Sequence, residues 1–167
     1  RDAVEWSWNL LHEVERAALA QLSAFRGGFA PEAAEAVLDL PAASALDVVQ
    51  ALVDKSLLRR YRHPALPDEI RLGLYEVVRD FAAGEIADAP GSRARHAAYY
   101  SARGEEWADA IDGPEGVASL RRLEVEADNL LAVCEPHDVD PAVAARAALA
   151  VGALRFFAGP YGPHLLL

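Results

Sequence analysis

The chain has 167 residues, 53% of them hydrophobic, enough to bury a core and to speak against an intrinsically disordered chain. Its net charge of −10 and pI near 4.9 repel nucleic-acid phosphates unless the basic residues gather on one face. With Cys134 as the only cysteine, an internal disulfide and a cysteine-based zinc site are excluded, and with no apolar run of membrane-spanning length a cytoplasmic protein is expected.

The periodicity predicts a short first helix over roughly 2–11 with Trp6, Trp8 and Leu10. A second helix, about 13–25, sets Val14, Ala18, Leu22 and Phe25 inward and Glu13, Glu15 and Arg16 outward, and Gly27-Gly28 ends it. Pro31 opens a third helix holding Ala34, Val37 and Leu38 inward. Ser44 and Asp47 form a capping-box-like pair for a fourth, whose inner face is Leu46, Val49, Leu52 and Val53.

Then the period changes. "LLRRYR" (57–62) and "IRLGLY" (70–75) predict two strands, the second with Ile70, Leu72 and Leu74 inward and Arg71 and Tyr75 outward. "HPALPDE" between them reads as a polar wing loop. A fifth helix over about 76–87 continues the inner face through Val77, Val78, Phe81 and Ala82. "DAPGS" (88–92) is the best linker in the chain.

Beyond it the pattern is helical only. One helix is expected over about 93–111 with Tyr100, Trp107 and Ile111, and a second over about 114–134 with Val117, Leu120, Leu123, Ala127, Leu130 and Cys134 on one face. A third, about 141–157, is apolar almost all round and expects neighbours on both sides. The fold class is therefore mainly α: helices with one β-hairpin over 1–89, then a helical domain over 90–167. The chain opens on Arg1 and stops on the apolar "HLLL", so it is expected to be a piece of a longer protein whose helical stack continues.

Catalytic chemistry is not evident. No glycine precedes a lysine, so a phosphate loop is missing, and no serine stands in a nucleophile context. The histidines at 12, 63, 96, 137 and 164 lack metal-ligand spacing, so metal binding is not expected. Glu124, Glu126 and Asp128 read as a solvated helix edge, and Cys134 as a small buried hydrophobe. An enzyme contained within these residues is not expected.

A helix followed by a basic hairpin raises DNA binding. Residues 45–56, where a recognition helix would lie, sum to −1 and offer Gln50 but no arginine to read guanine. Arg59, Arg60, Arg62 and Arg71 in the hairpin could hold phosphates. Residues 1–90 nevertheless carry nine basic against fifteen acidic side chains, so solvated or interdomain arginines are the better reading.

Four stretches in order, "AVEWSWNLLHEVERAALAQLSAFRGGF" (3–29), "LVDKSLLRR" (52–60), "GLYEVVRDFA" (73–82) and "RRLEVEADNLLAV" (121–133), resemble one bacterial class. They look like the region after the nucleotide-binding domain of STAND regulators, predicted signal-transduction ATPases and transcriptional regulators. The resemblance implies a winged helix at 1–89 and the start of a tetratricopeptide-like array after it. It implies an ATPase domain N-terminal to these residues, which would hold ATP or ADP and magnesium; no cofactor is expected within the 167 residues. In that class the winged helix is an internal clamp over ADP that swings away on activation. The partners implied are the ATPase domain, further helical repeats, and a protein or small-molecule inducer.

Many members of the class carry Met-His-Asp after the second wing strand, with the histidine on the ADP β-phosphate. Leu74, Tyr75 and Glu76 stand at the matching positions, and a tyrosine donates a hydrogen bond but carries no positive charge. Tyr75 is the candidate nucleotide-sensor position, and Tyr75 with Arg79 the candidate clamp contact. Two functions stay open: the regulatory module of such an ATPase, or a DNA-binding winged helix with a helical dimerisation tail.

Overall fold

The computed structural model describes residues 2–40, 44–85, 91–135 and 139–159. They divide into two compact units, within 1–96 and 97–167.

In the first unit α1 (Asp2–Asn9) and α2 (Glu13–Leu22) lead to a two-residue strand β1 (Gly28–Phe29), then α3 (Pro31–Val37) and α4 (Ala45–Asp54). Strands β2 (Leu58–His63) and β3 (Leu66–Leu74) form the hairpin, and α5 (Glu76–Glu85) follows. The sheet is antiparallel in the order β1-β3-β2, with Gly28 opposite Gly73 and Phe29 opposite Leu72. Helix, strand, two helices and a hairpin whose inner strand takes up the first strand is a winged helix. β1 was not foreseen: two residues are too short for any alternation to register.

Phe25, Phe29, Leu19, Leu22, Val37, Leu52, Leu58 and Leu72 fill the core, with Phe25 and Phe29 stacked at 4.0 Å. Several inward assignments shift. On α4, Val48 is buried in place of Leu46, which is exposed. Ile70 is exposed and Arg71, expected outward, is 1% exposed. On α5, Val77 faces solvent, while Phe81 meets the buried Trp8 edge-on at 5.7 Å. Trp6 and Leu10 on the α1 side are exposed.

Two local features join α4 to the wing. Leu57 N–H donates to Leu52 O at 3.0 Å and Ser56 N–H to Val53 O at 2.9 Å, the paired bonds of a Schellman stop. Ser56 supplies the left-handed residue, at φ 59°. The wing itself is not a loop. β3 starts at Leu66, so only Pro64 and Ala65 turn, and the Ala65 N–H donates to His63 Nδ1 at 3.2 Å.

The expected linker residues 88–90 lie outside the described residues, and so do residues 86–87 of the expected fifth helix. Ser92, the last residue of that linker, instead begins α6 (Ser92–Asp109), whose first turn belongs to the first unit. Arg95 donates from Nε to Val37 O at 2.6 Å and from Nη2 to the buried Gln21 side chain at 2.9 Å, while His96 meets Phe25 edge-on at 5.1 Å.

The second unit holds the rest of α6, then α7 (Gly116–Val125), α8 (Ala127–Cys134) and α9 (Pro141–Ala158). The single helix expected over 114–134 is broken at Glu126, whose φ of −98° and ψ of 7° are not helical. Its side chain, expected in solvent, is buried and accepts a bond from Asn129 Nδ2 at 2.9 Å. Tyr100, Leu123, Leu130, Val133, Ala147 and Ala150 make the core. Gly104 allows the close approach: a Cβ there would stand 2.7 Å from Leu130 Cδ2 and 3.0 Å from Ala150 Cβ. On α9, Leu149, Phe156 and Phe157 are exposed, Phe156 by 82%. Cys134 is exposed, not buried; its Sγ–H donates to Leu130 O at 3.4 Å, and partial desolvation pushes the thiol pKa up.

Candidate functional site

The side chains singled out by sequence lie on α4, the hairpin and the start of α5. On α4, Gln50 is the one amide side chain, suited to reading adenine, and both its ends are engaged. Its Oε1 accepts from Arg60 Nη2 at 2.5 Å, and its Nε2 donates to Asp54 Oδ1 at 2.7 Å. The helix that would enter a groove thus carries Asp47, Asp54 and a Gln tied back to the wing.

The four hairpin arginines separate. Arg59 lies with its guanidinium 5.0 Å from the Tyr61 ring centroid, a cation–π geometry. Arg62 donates to Pro67 O at 2.8 Å, across the turn. Arg71 is withdrawn from the surface: its Nη2 donates to Gly28 O at 2.8 Å, bonding β3 to β1 a second way. The register explains this. Arg71 pairs with Tyr61 and shares a sheet face with Gly73, which pairs with Gly28. The two glycines leave a trough in that face. Tyr61 reaches across it, and a Cβ on Gly28 would run into the Tyr61 hydroxyl.

Tyr75 caps α5 through its carbonyl, which accepts from the Val78 and Arg79 N–H groups, both at 2.9 Å. Tyr75 is 47% exposed, and Glu76 and Val77 beside it are exposed as well. Arg79 stands one turn on and bonds its neighbour Asp80 from Nε at 3.1 Å and Nη2 at 3.0 Å. Tyr75 and Arg79 share a helix face by their spacing.

One pair escaped sequence reasoning. Glu15, expected in solvent, is buried, and both its oxygens accept from Lys55 Nζ, at 2.7 and 2.6 Å. Oε2 also accepts from the His12 N–H at 2.8 Å, closing a capping box at the start of α2. Burial pushes the Glu15 pKa up. The Lys55 bond, the His12 N–H and the nearby positive charge outweigh it and leave the carboxyl below its usual range. His12 three residues before Glu15 was the available signal, but the partner is forty residues away. Among the described residues no group of His, Cys, Asp and Glu could hold a metal ion, and no helix is long and apolar enough to cross a membrane.

No family model matches the chain, and no solved structure matches it. It is similar to curated proteins of Mycobacterium bovis and of two Mycobacterium tuberculosis strains, whose provisional names call them HTH-type transcriptional regulators. Identity is 34% over 137 residues, 79% of this chain but 15% of each relative. The chain thus spans a small part of those proteins, and their name does not say where in them the DNA-reading helix lies.

Proposed function

We propose that this chain is a non-catalytic regulatory segment of a larger multidomain regulator, in which the winged helix contacts another domain instead of reading DNA. The observation that carries the reading is the condition of α4. Its one amide side chain is bonded at both ends, it carries two carboxylates and no arginine, and Arg71 of the wing is buried.

The finer reading follows the STAND resemblance. The winged helix serves as a clamp against an N-terminal ATPase domain holding ADP and magnesium, through Tyr75, Arg79 and the exposed first turn of α5. The second unit begins a tetratricopeptide-like array that continues over the outer face of α9 and receives an inducer or partner. The similarity to large transcriptional regulators supports a regulatory setting at this coarser level.

The test is Tyr75→Ala with Arg79→Ala in the full-length protein, following ADP release and oligomer formation. Loss of a clamp contact shifts the resting equilibrium by about 1–3 kcal/mol, roughly 5- to 150-fold faster release. Unchanged release overturns the clamp. The three exposed arginines favour a second reading, DNA binding. A nanomolar, sequence-specific duplex complex of the 167-residue chain at physiological salt would establish it.

A further inference from the structure

Strand β2 sits at the margin of the sheet, paired only with β3, and no strand lies on its other side among the described residues. It is six residues long, against two for β1 at the opposite margin. A margin of this length presents alternating backbone N–H and C=O groups with no strand to bond them.

Three of its residues are arginines, and all three are exposed. They alternate across the sheet. Arg59 stands on the face of Tyr61 and Arg60 on the other, while Arg62 lies where the register with β3 shifts. A duplex resting on either face would meet only part of this set. A strand laid along the edge passes within reach of all of it. The guanidinium groups have donors to spare, since Arg60 commits one to Gln50 and Arg62 one to Pro67.

We propose that the β2 edge is a docking site for an extended acidic peptide segment, which adds to the sheet as a further strand and sets its carboxylates against Arg59, Arg60 and Arg62. Charge complementarity selects this occupant. A second copy offering its own β2 would bring arginine opposite arginine, which is unfavourable. A phosphate backbone gains nothing from the outward carbonyls of the edge, whereas a peptide bonds them with its own N–H groups.

The test titrates the 167-residue chain into a fluorescein-labelled, end-blocked octapeptide of alternating glutamate and valine, read by anisotropy at about 150 mM salt, where unpaired surface charges are largely screened. Binding should saturate and fail for the lysine–valine counterpart. Arg59→Glu combined with Arg62→Glu should weaken it about tenfold or more while the melting temperature holds, equivalent to about 1.4 kcal/mol. N-methylating one alternate set of peptide amides should abolish binding, an arm that needs no protein variant. The proposal is overturned if the peptide does not bind, if neither N-methylated set loses affinity, or if the double variant binds as well as the parent. Displacement of the peptide by an equimolar DNA duplex would assign the edge to nucleic acid and overturn it too.

Discussion

The winged-helix unit closes its centre, while the helical unit leaves large apolar side chains outside. Phe25 and Phe29 stack on each other, and neither is exposed by more than 1%. On α9, Phe156 and Leu149 are mostly in solvent although Ala147, Ala150 and Val151 of the same helix are buried. A sheet presents one broad face, and short helices can cover it completely. A helix that is apolar all round needs cover on every side, and α6, α7 and α8 leave Leu149 and Phe156 uncovered. The first unit has exposed apolar groups too, among them Trp6, Leu10, Leu46, Ile70 and Val77, but they stand outside its central core.

The sharpest way to break this contrast is a matched pair of truncations. Phe25→Ala should cost about 3–5 kcal/mol, because it removes the stack on Phe29 and the edge contact with His96. Phe156→Ala should change stability by less than about 0.5 kcal/mol. Urea denaturation of the two variants measures both; comparable losses would mean that α9 is covered in solution.

An intermediate effect is expected at Glu15→Gln, which keeps the shape of the α2 cap and removes the charge facing Lys55. The expected loss is about 1–3 kcal/mol, less than for a fully buried pair because Lys55 is partly exposed and can rehydrate. Since the folded carboxyl lies below its usual value of 4.5, the contribution is complete above that pH and is lost as pH falls through the folded value. Melting followed from neutral to acid pH should show parent and variant converging at the acid end. Curves that stay parallel would contradict the pair.

Gly28→Ala tests the trough beneath Tyr61 and should cost about 1–3 kcal/mol by overpacking. Tyr61→Ala in the same chain should recover much of that loss. An additive double variant would mean the two residues do not meet.

Helix and strand type was legible in α2, α3, α4, the hairpin and the helices after it, although Leu46, Ile70, Val77 and Val117, expected on apolar faces, are exposed. What escaped had non-local causes. β1 exists because β3 bonds it, and a two-residue strand carries no pattern of its own. Alternation failed at Arg71 because the face it occupies is built from Gly28 and Gly73, which leave room for a guanidinium among backbone groups. The break at Glu126 has its cause in a side chain turned inward to Asn129, where composition predicted a solvated edge. At the candidate site, Tyr75 was singled out by its place in a motif and Arg79 as the residue one helical turn on. The closure of Gln50 required Arg60, which only the folded wing brings to it.

The placement of Arg95 and His96 bears on where this protein can be cut. An expression boundary drawn at the proline-containing linker would deprive the Val37 carbonyl and the Gln21 side chain of the arginine that bonds them. It would also uncover the edge of Phe25 that His96 shields. A winged-helix piece for crystallography or for a fusion reporter should therefore run through the first turn of α6. A shorter one would test the wound left by its own truncation instead of the domain.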